Sequence, residues 1–484
     1  MPSVKKNFIW STILTVAGYL FPLITFPYVT RVLGVEGLGN YQFAYSTIEY
    51  FSIFAMLGMG VIGIREVAKE KGDRAKLSQT FSSLVVINLI TAFLAICVLL
   101  VLTFIIPSFI AHGKMLYIGM ARILCNVLLI EWLFKGLEDF RFITVRAILV
   151  RCVYVASVFL FVKDENDYVI YFLLSTLAVV VNSFINLVYS KQFVDFSFRN
   201  LNLQQYVKPF IILGAYRILT AMYTSFNVIY LGSQCGDIEV GYYGTATRLY
   251  TLIMSVFTAF TGVMMPRMSS LLAEGKTDDF KNMTVKSIDC LLLFCLPLIV
   301  LFEVYTPQII RIIAGAGYDG AVLPMRIVVP LMLVIGYEQI IIIQMLMPLK
   351  KDNAILINSC VGAGVGLLLN IILVPILASV GSTIVWCASE VTVLVIAQRF
   401  VTKFTGYKMP IKKILFSIVA YLPAIVICFL FNSLFSNWII SLFVGCVFVG
   451  VYCFIVEYFI LKNIVLRANI VSITDMFRKR FFGR

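Results

Sequence analysis

The 484-residue chain has one histidine, His112, and only 13% charged residues. A lone imidazole cannot assemble a histidine metal site or a histidine-centred nucleophile. No metal, cofactor or catalytic residue is therefore assigned, and the chain is not read as an enzyme. Paired outer cysteines are also missing. Of eleven cysteines nearly all, Cys97, Cys125, Cys360 and Cys446 among them, lie in apolar runs, and only Cys235 falls in an outer loop. That excludes a disulfide framework and leaves the cysteines as small apolar residues. Long polar stretches are absent as well: the longest outer loop runs from about Pro307 to Ala321, and no soluble domain is expected at either end. A membrane glycan polymerase or ligase should present a sizeable outer loop or a cluster of acid/base groups, and neither is visible.

What is there is apolar. Hydrophobic residues make up 61% of the chain and the mean hydropathy is +0.97. A soluble protein of this size could not hide that surface. Apolar runs of about 20 residues predict an all-α polytopic membrane protein. Fourteen spans are expected, near 8–28, 41–62, 81–106, 115–134, 142–162, 168–190, 209–231, 242–265, 287–306, 322–348, 354–377, 380–401, 412–432 and 437–461. The first follows Lys5 and Lys6 as a signal peptide would. It is too long for one, lacks a small-residue cleavage site, and carries Pro22 and Pro27, so it is read as a span. Pro297, Pro330 and Pro375 are expected to kink their helices.

The net charge of +14 has a topological origin. With the N-terminus inside, cytoplasmic segments hold 31 Lys and Arg, and the outer loops hold only Arg31, Lys114, Lys163 and Arg311. This asymmetry predicts cytoplasmic termini. No loop interleaves basic and aromatic residues as single-strand binders do, so nucleic acid is not a partner. The tail after Leu461 sets Arg478, Lys479 and Arg480 beside Phe477, Phe481 and Phe482. It is expected to lie against anionic membrane lipids.

Four arginines complete the 39 basic residues, and they stand inside spans: Arg122, Arg217, Arg248 and Arg326. A cation at bilayer depth costs about 2.5–3.5 kcal/mol on insertion scales and marks a polar cavity or a partner charge. Four of them imply a cationic chamber and an anionic cargo. Helical spacing supports a lining. Arg217, Thr220, Thr224 and Asn227 fall at i, i+3, i+7 and i+10, and Arg248, Thr251, Ser255, Thr258 and Gly262 follow the same rule. Gln42, Glu49 and Ser52 share a face, and Arg122 and Asn126 are a turn apart. The opposing reading is that such Ser, Thr and Asn residues bond helices together, and that Arg326, near its outer end, snorkels. Glu49 and Glu390 lie well inside their spans, to pair with an arginine or take up a proton or sodium ion. Glu131, Glu303, Glu338 and Glu457 lie nearer span ends and are not assigned.

The chain also repeats. Leu33-Gly34 and Gly39-Asn40-Tyr41 follow the first span, and Leu231-Gly232 and Gly241-Tyr242-Tyr243 follow the seventh. Arg65 and Arg267 are 202 residues apart, and Arg122 and Arg326 are 204 apart. A duplicated six-helix unit places lobes at 1–206 and 207–408, with two extra helices in 409–461 and the basic tail at 462–484. An even number of spans makes the repeats parallel, with a site expected where the lobes meet.

Pro27-Tyr28-Val29-Thr30-Arg31-Val32-Leu33-Gly34, continuing through Gly37-Leu38-Gly39 to Tyr41, resembles the opening motif of Wzx-type polysaccharide flippases. Gly60-Val61-Ile62-Gly63-Ile64-Arg65-Glu66 resembles their second motif, and Trp132 to Phe140 with Ile143-Thr144 their fourth-to-fifth-helix loop. Gly241-Tyr242-Tyr243 matches the start of the eighth helix. Lys135 stands where the family more often shows Gln, and the last two helices carry no matching motif. The resemblance implies the multidrug/oligosaccharidyl-lipid/polysaccharide exporter superfamily and its two-lobed MATE-like fold. It implies a cargo of oligosaccharide on polyprenyl (undecaprenyl) pyrophosphate, carried by alternating access in a bacterial cytoplasmic membrane for a surface polysaccharide such as O-antigen. An ion gradient (H+ or Na+) or the membrane potential is the implied drive, with other polysaccharide assembly proteins as further partners. A pyrophosphate suits bidentate guanidinium contacts. On this reading Arg217, Arg248, Arg122 and Arg326 hold the pyrophosphate, Thr220, Thr224, Asn227 and Ser255 accommodate the cargo, and Arg31 stands at the outer mouth. The alternative within the superfamily is a cation-coupled multidrug exporter, whose chamber should instead be rich in carboxylates.

Overall fold

The computed structural model describes residues 4–197, 201–222, 224–468 and 470. The expected tail cluster at 477–482 lies outside the described residues. Among the described residues the chain forms seventeen α-helices. They are α1 (Val4–Met56), α2 (Met59–Lys69), α3 (Arg74–Ile105), α4 (Pro107–Ala111), α5 (Gly113–Leu128), α6 (Glu131–Gly136), α7 (Phe140–Phe161), α8 (Tyr168–Ser190) and α9 (Gln204–Ala221). There follow α10 (Ser225–Cys235), α11 (Asp237–Ala273), α12 (Thr277–Ile313), α13 (Val322–Val328), α14 (Leu331–Ile341), α15 (Asp352–Thr405), α16 (Ile411–Leu434) and α17 (Trp438–Ile455).

Ten helices or continuous helical stretches of the described chain are long and apolar enough to cross a membrane. Two of them are double. α1 breaks at Gly34 (φ 65°, ψ −177°) and α15 at Ala378 (φ 48°, ψ −125°), each turning one long helix into two spans. The bent pair α13–α14 adds another, its two arms meeting at 40° around Pro330. Carbonyls on either side of that bend take thiol hydrogens: Cys387 reaches the Ile327 oxygen at 3.6 Å and Cys295 the Met332 oxygen at 3.7 Å. Such local partners are what let a proline sit in a membrane helix. α9 and α10 lie where the seventh span was expected, so the described helices accommodate the fourteen expected spans. The protein is a multi-pass membrane protein, and its described residues are all-α.

The chain divides into two compact units: 1–245 with 313–318 and 366–385, and 246–312 with 319–365 and 386–484. In the first unit, α5 closes against the second half of α1. An added Cβ at Gly119 would lie 2.2 Å from Ile48, so the small residue sets the helix spacing. Further along the same seam Glu49 meets Arg122, and Asn126 donates to the Ser52 hydroxyl at 3.2 Å. Below this seam a second cluster forms around Trp132, Phe134, Tyr206 and Phe210. There α2 and α6 interlock: Gly63 lies on the Trp132 ring and Gly136 on Val67, each leaving 2.6 Å to an added Cβ. Two of the motifs noted in the sequence are thus one packing unit.

The repeat motifs also meet. A Cβ on Gly39 would stand 1.8 Å from the Asp237 carbonyl oxygen and 3.1 Å from the Gly241 nitrogen, and one on Gly241 would stand 2.2 Å from the Val35 oxygen. The structure shifts one of the sequence pairings. Gly34 matches Gly236 (φ 85°, ψ 178°), rather than Gly232, at the same 202-residue offset as Gly39 and Gly241. Both occupy a backbone region open essentially to glycine alone. Nearby, His112 Nε2 lies 2.9 Å from Asp237 Oδ1, and Nδ1 lies 2.7 Å from the Ser108 carbonyl.

In the second unit the helices beyond the duplication are tied in at one end. Asp289, 1% exposed, pairs with Lys413, and Asn463 donates to the Asp289 carbonyl at 3.0 Å and to Glu457 Oε2 at 2.8 Å. Tyr421 donates to Glu457 Oε1 at 3.2 Å. Glu457 is thus a structural ligand of α16. All eleven cysteines carry free thiols.

Candidate functional site

Arg122 is 8% exposed. Its Nη2 lies 3.3 Å from Glu49 Oε1, its Nη1 3.3 Å from the Ser175 hydroxyl, and its guanidinium 4.8 Å from the centre of the Tyr45 ring. A cation held by a carboxylate, a hydroxyl and an aromatic face has its charge met within the protein. Of the two roles open to Glu49, the geometry displays pairing.

Arg217 and Arg248 differ. Both are exposed, one on α9 and one on α11, and neither has an ion-pair partner among the described residues. The exposed surface of α11 is divided. Val256 and Val263, 62% and 59% exposed, lie about 60–80° round the helix from Arg248 at 100° per residue. On the other side of Arg248 come Thr251, Thr258 and Gly262. An apolar strip suited to lipid therefore runs beside a polar strip suited to water. Ser255 turns inward, 6% exposed, and donates to the Leu252 carbonyl at 2.6 Å. Thr258 accepts from Gln339 at 3.0 Å, which makes it a contact between helices.

The seventh span does not carry the single stripe that its spacing suggested. α9 ends at Ala221 and α10 starts at Ser225, with Thr224 at φ −111° and ψ −83° between them. The break rotates the second half of the stripe. Thr224 bonds back to the Thr220 carbonyl at 3.1 Å. Asn227 is fully buried, and its amide donates to the Tyr243 hydroxyl at 3.1 Å and the Ser382 carbonyl at 3.0 Å. Arg217 remains exposed while Asn227 fastens the core of the first unit.

Arg326 is half-buried at the foot of α13, its Nε has no hydrogen-bond partner, and Glu303 lies within electrostatic reach of it. Arg31 is exposed on α1. The turn at 313–318 folds onto that stretch, with Tyr318 donating to the Thr30 carbonyl at 2.9 Å.

Two intramembrane arginines were counted with the cytoplasmic charge in the sequence. Arg146 and Arg151 both lie within α7. Arg146, 5% exposed, meets Glu131 Oε1 at 2.8 Å, and Lys135 reaches Glu131 Oε2 at 3.2 Å. Arg151 donates to the Leu14 carbonyl at 3.4 Å. Counting depth from the helix start at Phe140, instead of assigning charge to loops, would have found them. Glu338 was also left unassigned; it is half-buried on α14, and its Oε2 has no hydrogen-bond partner among the described residues.

Known proteins resemble this chain in sequence and in fold. A chain of Escherichia coli K12 named "Putative O-antigen transporter" is 25% identical over 409 residues, covering 82% of this chain and 97% of its own. A Shigella flexneri chain of the same name is 23% identical, over 66% of this chain and 78% of its own. Among solved structures, the lipid II flippase MurJ in an inward closed conformation superposes with a TM-score of 0.73 at 15% identity, covering 93% of this chain and 98% of that one. An inward-facing MATE-family multidrug resistance transporter superposes at 0.60 and 13% identity, over 78% and 93%. These structures share the fold. The polysaccharide biosynthesis protein family matches residues 4–272, which contain the Gly39–Gly241 crossing, the α2–α6 interlock, Arg122, Arg217 and Arg248. The chain belongs to that family.

Proposed function

We propose that the protein flips polyprenyl pyrophosphate-linked oligosaccharide repeat units from the cytoplasmic to the outer leaflet by alternating access, for assembly of a surface polysaccharide. The observation that carries this reading is the exposure of Arg217 and Arg248 in apolar helices without partner carboxylates. Such cations are retained at membrane depth for an anionic ligand, and a guanidinium matches the paired oxygens of a phosphate group. The names of the relatives and of the MurJ structure support the same cargo class.

The reading divides the chain into lobes at 1–206 and 207–408, with helices 13 and 14 in 409–461. The register Gly34/Gly236 and Gly39/Gly241 supports that duplication. Both termini are assigned to the cytoplasm and the protein to the bacterial cytoplasmic membrane, on the charge asymmetry of the loops. Arg326 is assigned as a further pyrophosphate contact because it is a half-buried cation in an apolar helix with no ion-pair partner among the described residues. Arg122 contributes through its field and its position beside Tyr45, and Arg31 marks the outer mouth. Thr220 lines the cargo path next to Arg217, while Thr224, Asn227 and Ser255 hold its walls.

A strain lacking its own transporter gene tests this. Complementation with R217Q/R248Q is expected to yield normal membrane levels of protein and no surface glycan. Full glycan from the double variant overturns the reading. A multidrug exporter remains the rival because MATE transporters share the fold. Exposed arginines repel cationic drugs, so resistance to cationic dyes on overexpression is the result that would favour it.

A further inference from the structure

In the first unit two neighbouring spans break at the same level and in the same way. After α1 the chain turns at Leu57 (φ 34°), and after α5 at Ile130 (φ 37°); the short helices α2 and α6 follow. The turns lie five residues beyond Ser52 and four beyond Asn126, which are hydrogen-bonded to each other. A carbonyl just before each turn is taken by a neighbouring helix. Thr91 of α3 donates to the Ala55 oxygen at 2.6 Å, and Asn186 of α8 donates to the Leu129 oxygen. Such partners let a membrane helix break. Left-handed backbone at a helix C-terminus is ordinarily the place of glycine. Here a leucine and a β-branched isoleucine hold it under strain. Ile130 is 1% exposed, and an added Cβ on Gly214 of α9 would stand 2.5 Å from Leu57 Cδ2.

Beyond the turns the pairing of the two spans changes. Glu49 and Arg122 are 73 residues apart, and Ser52 and Asn126 are 74 apart. The contacts Gly63–Trp132 and Val67–Gly136 are each 69 apart. The register slips by about one helical turn, so α2 and α6 do not continue the pair before the turns. They are locked to each other by the two glycine contacts, and past their ends Lys71 Nζ lies 3.1 Å from Glu138 Oε2.

We propose that α2 and α6 form one rigid block, jointed to its two spans at Leu57 and Ile130, and that α9 sets the position of this block through Leu57. Strain of this kind persists only while the surroundings hold it. Gly214 leaves the Leu57 side chain its room, and Arg217 stands three residues further along α9. A shift of α9 that takes Gly214 off Leu57 releases the first joint, and the block swings as one body about both. Glu131, the first residue past the second joint, meets Arg146 of α7 at 2.8 Å, which fixes the pivot and leaves the far end of the block to turn. Toward α3 the block presents an apolar contact, Trp132 against Phe81 with 5.8 Å between ring centres. Non-directional packing of this sort can slide. This deepens the transport reading by giving the anion site a mechanical output, and rests on that reading only for what displaces α9.

The test uses the purified full-length protein in lipid nanodiscs with no cargo present. Hydrogen exchange is read by mass spectrometry on peptides from α2, from α6 and, for reference, from the seam of Ile48 and Gly119. G63A, whose methyl group has no room beside Trp132, is expected to raise exchange about tenfold in α2 and α6 alike and to leave the reference unchanged. A rise confined to α2, or one equally large in the reference, overturns the single block. G214A is expected to change exchange in α2 and α6 together, and unchanged exchange in both overturns the coupling through Leu57. Should G63A fail to fold, W132F is expected to loosen both helices by a smaller factor, and an effect on α6 alone is the overturning result. In cells, L57G keeps the backbone region and removes the side chain that α9 presses on. It is expected to lower surface glycan at least about fivefold at normal membrane levels of protein, and full glycan removes the joint from the transport cycle. The exchange measurements contain neither cargo nor an arginine variant, so their failure and that of the R217Q/R248Q experiment are distinguishable.

Discussion

The two compact units treat an intramembrane carboxylate in opposite ways. In the first, Glu49 faces Arg122 across α1 and α5, with Ser175 and Tyr45 completing the surroundings of the guanidinium. In the second, Glu390 accepts from the Trp386 indole at 2.9 Å and has no ion-pair partner among the described residues. The duplication makes the divergence legible. At the 202-residue offset of Gly34/Gly236 and Gly39/Gly241, the counterpart of Glu49 is Thr251. Arg122 has its counterpart in Arg326, so the second repeat keeps the cation and loses the anion. Arg217 and Arg248 go the other way: Thr15 and Ser46 stand at their counterparts in the first repeat. A charge met inside its own repeat stabilises that repeat. A charge without such a partner is free to serve a ligand or a proton.

That contrast can be broken from either side. The largest effect is expected from Glu49→Leu, which strands Arg122 as a buried cation. Removing one member of a buried pair costs about 3–5 kcal/mol, and the partial exposure of Glu49 (36% of its side chain) brings the loss toward about 2 kcal/mol. Thermal unfolding should show E49L well below wild type. E49L/R122L should lose less than the two single variants added together, and strict additivity would remove the pair from the account.

Gly34→Ala and Gly236→Ala test the register on which the comparison rests. Both glycines hold the same left-handed extended backbone, and neither has an atom within contact distance of an added Cβ closer than the 4.0 Å to Glu165. Each substitution should therefore cost the same, about 1–2 kcal/mol of backbone strain, read as equal falls in melting temperature. Unequal falls would show that the two positions are not structural equivalents.

Thr251→Glu restores to the second repeat the anion it lacks. A glutamate one turn from Arg248 should add about 0.2–0.5 kcal/mol to the helix while neutralising Arg248. Surface glycan should drop sharply with protein level and melting temperature preserved. Unchanged glycan would separate Arg248 from the cargo.

The smallest effect is a pH dependence that belongs to the first unit alone. Burial pulls the His112 imidazole toward its neutral form. Its bonds to Asp237 and to the Ser108 carbonyl outweigh that, and hold its pKa above the ordinary histidine value. A raised folded pKa contributes stability that is fully present below the unfolded value and is lost as pH rises through the folded one. The melting temperature should therefore be slightly higher near about pH 6 than near about pH 9. That difference should vanish in H112Q.

Much of the architecture was legible because hydropathy and loop charge are physical constraints imposed by the bilayer. The spans, the kink at Pro330 and the repeat motifs could all be read directly. What escaped was depth and direction. Arg146 and Arg151 were counted with the cytoplasmic charge although the expected span 142–162 already contained both, and α7 places them within the helix. The stripe from Arg217 to Asn227 assumed an unbroken helix, and the break before Ser225 turns Asn227 into the core.

The crossing of Gly39 and Gly241 carries a consequence for how this chain can change over time. The same glycine from each copy of the duplicated unit presses on the other copy's backbone. Most tight contacts can absorb a mutation because a neighbour can shrink. Here neither side has a side chain left to give up, so no single substitution on one copy can compensate for a change on the other. The two halves of the gene are free to drift apart in their charges, as Thr251 and Glu49 have, but they remain bound to a common spacing at this point.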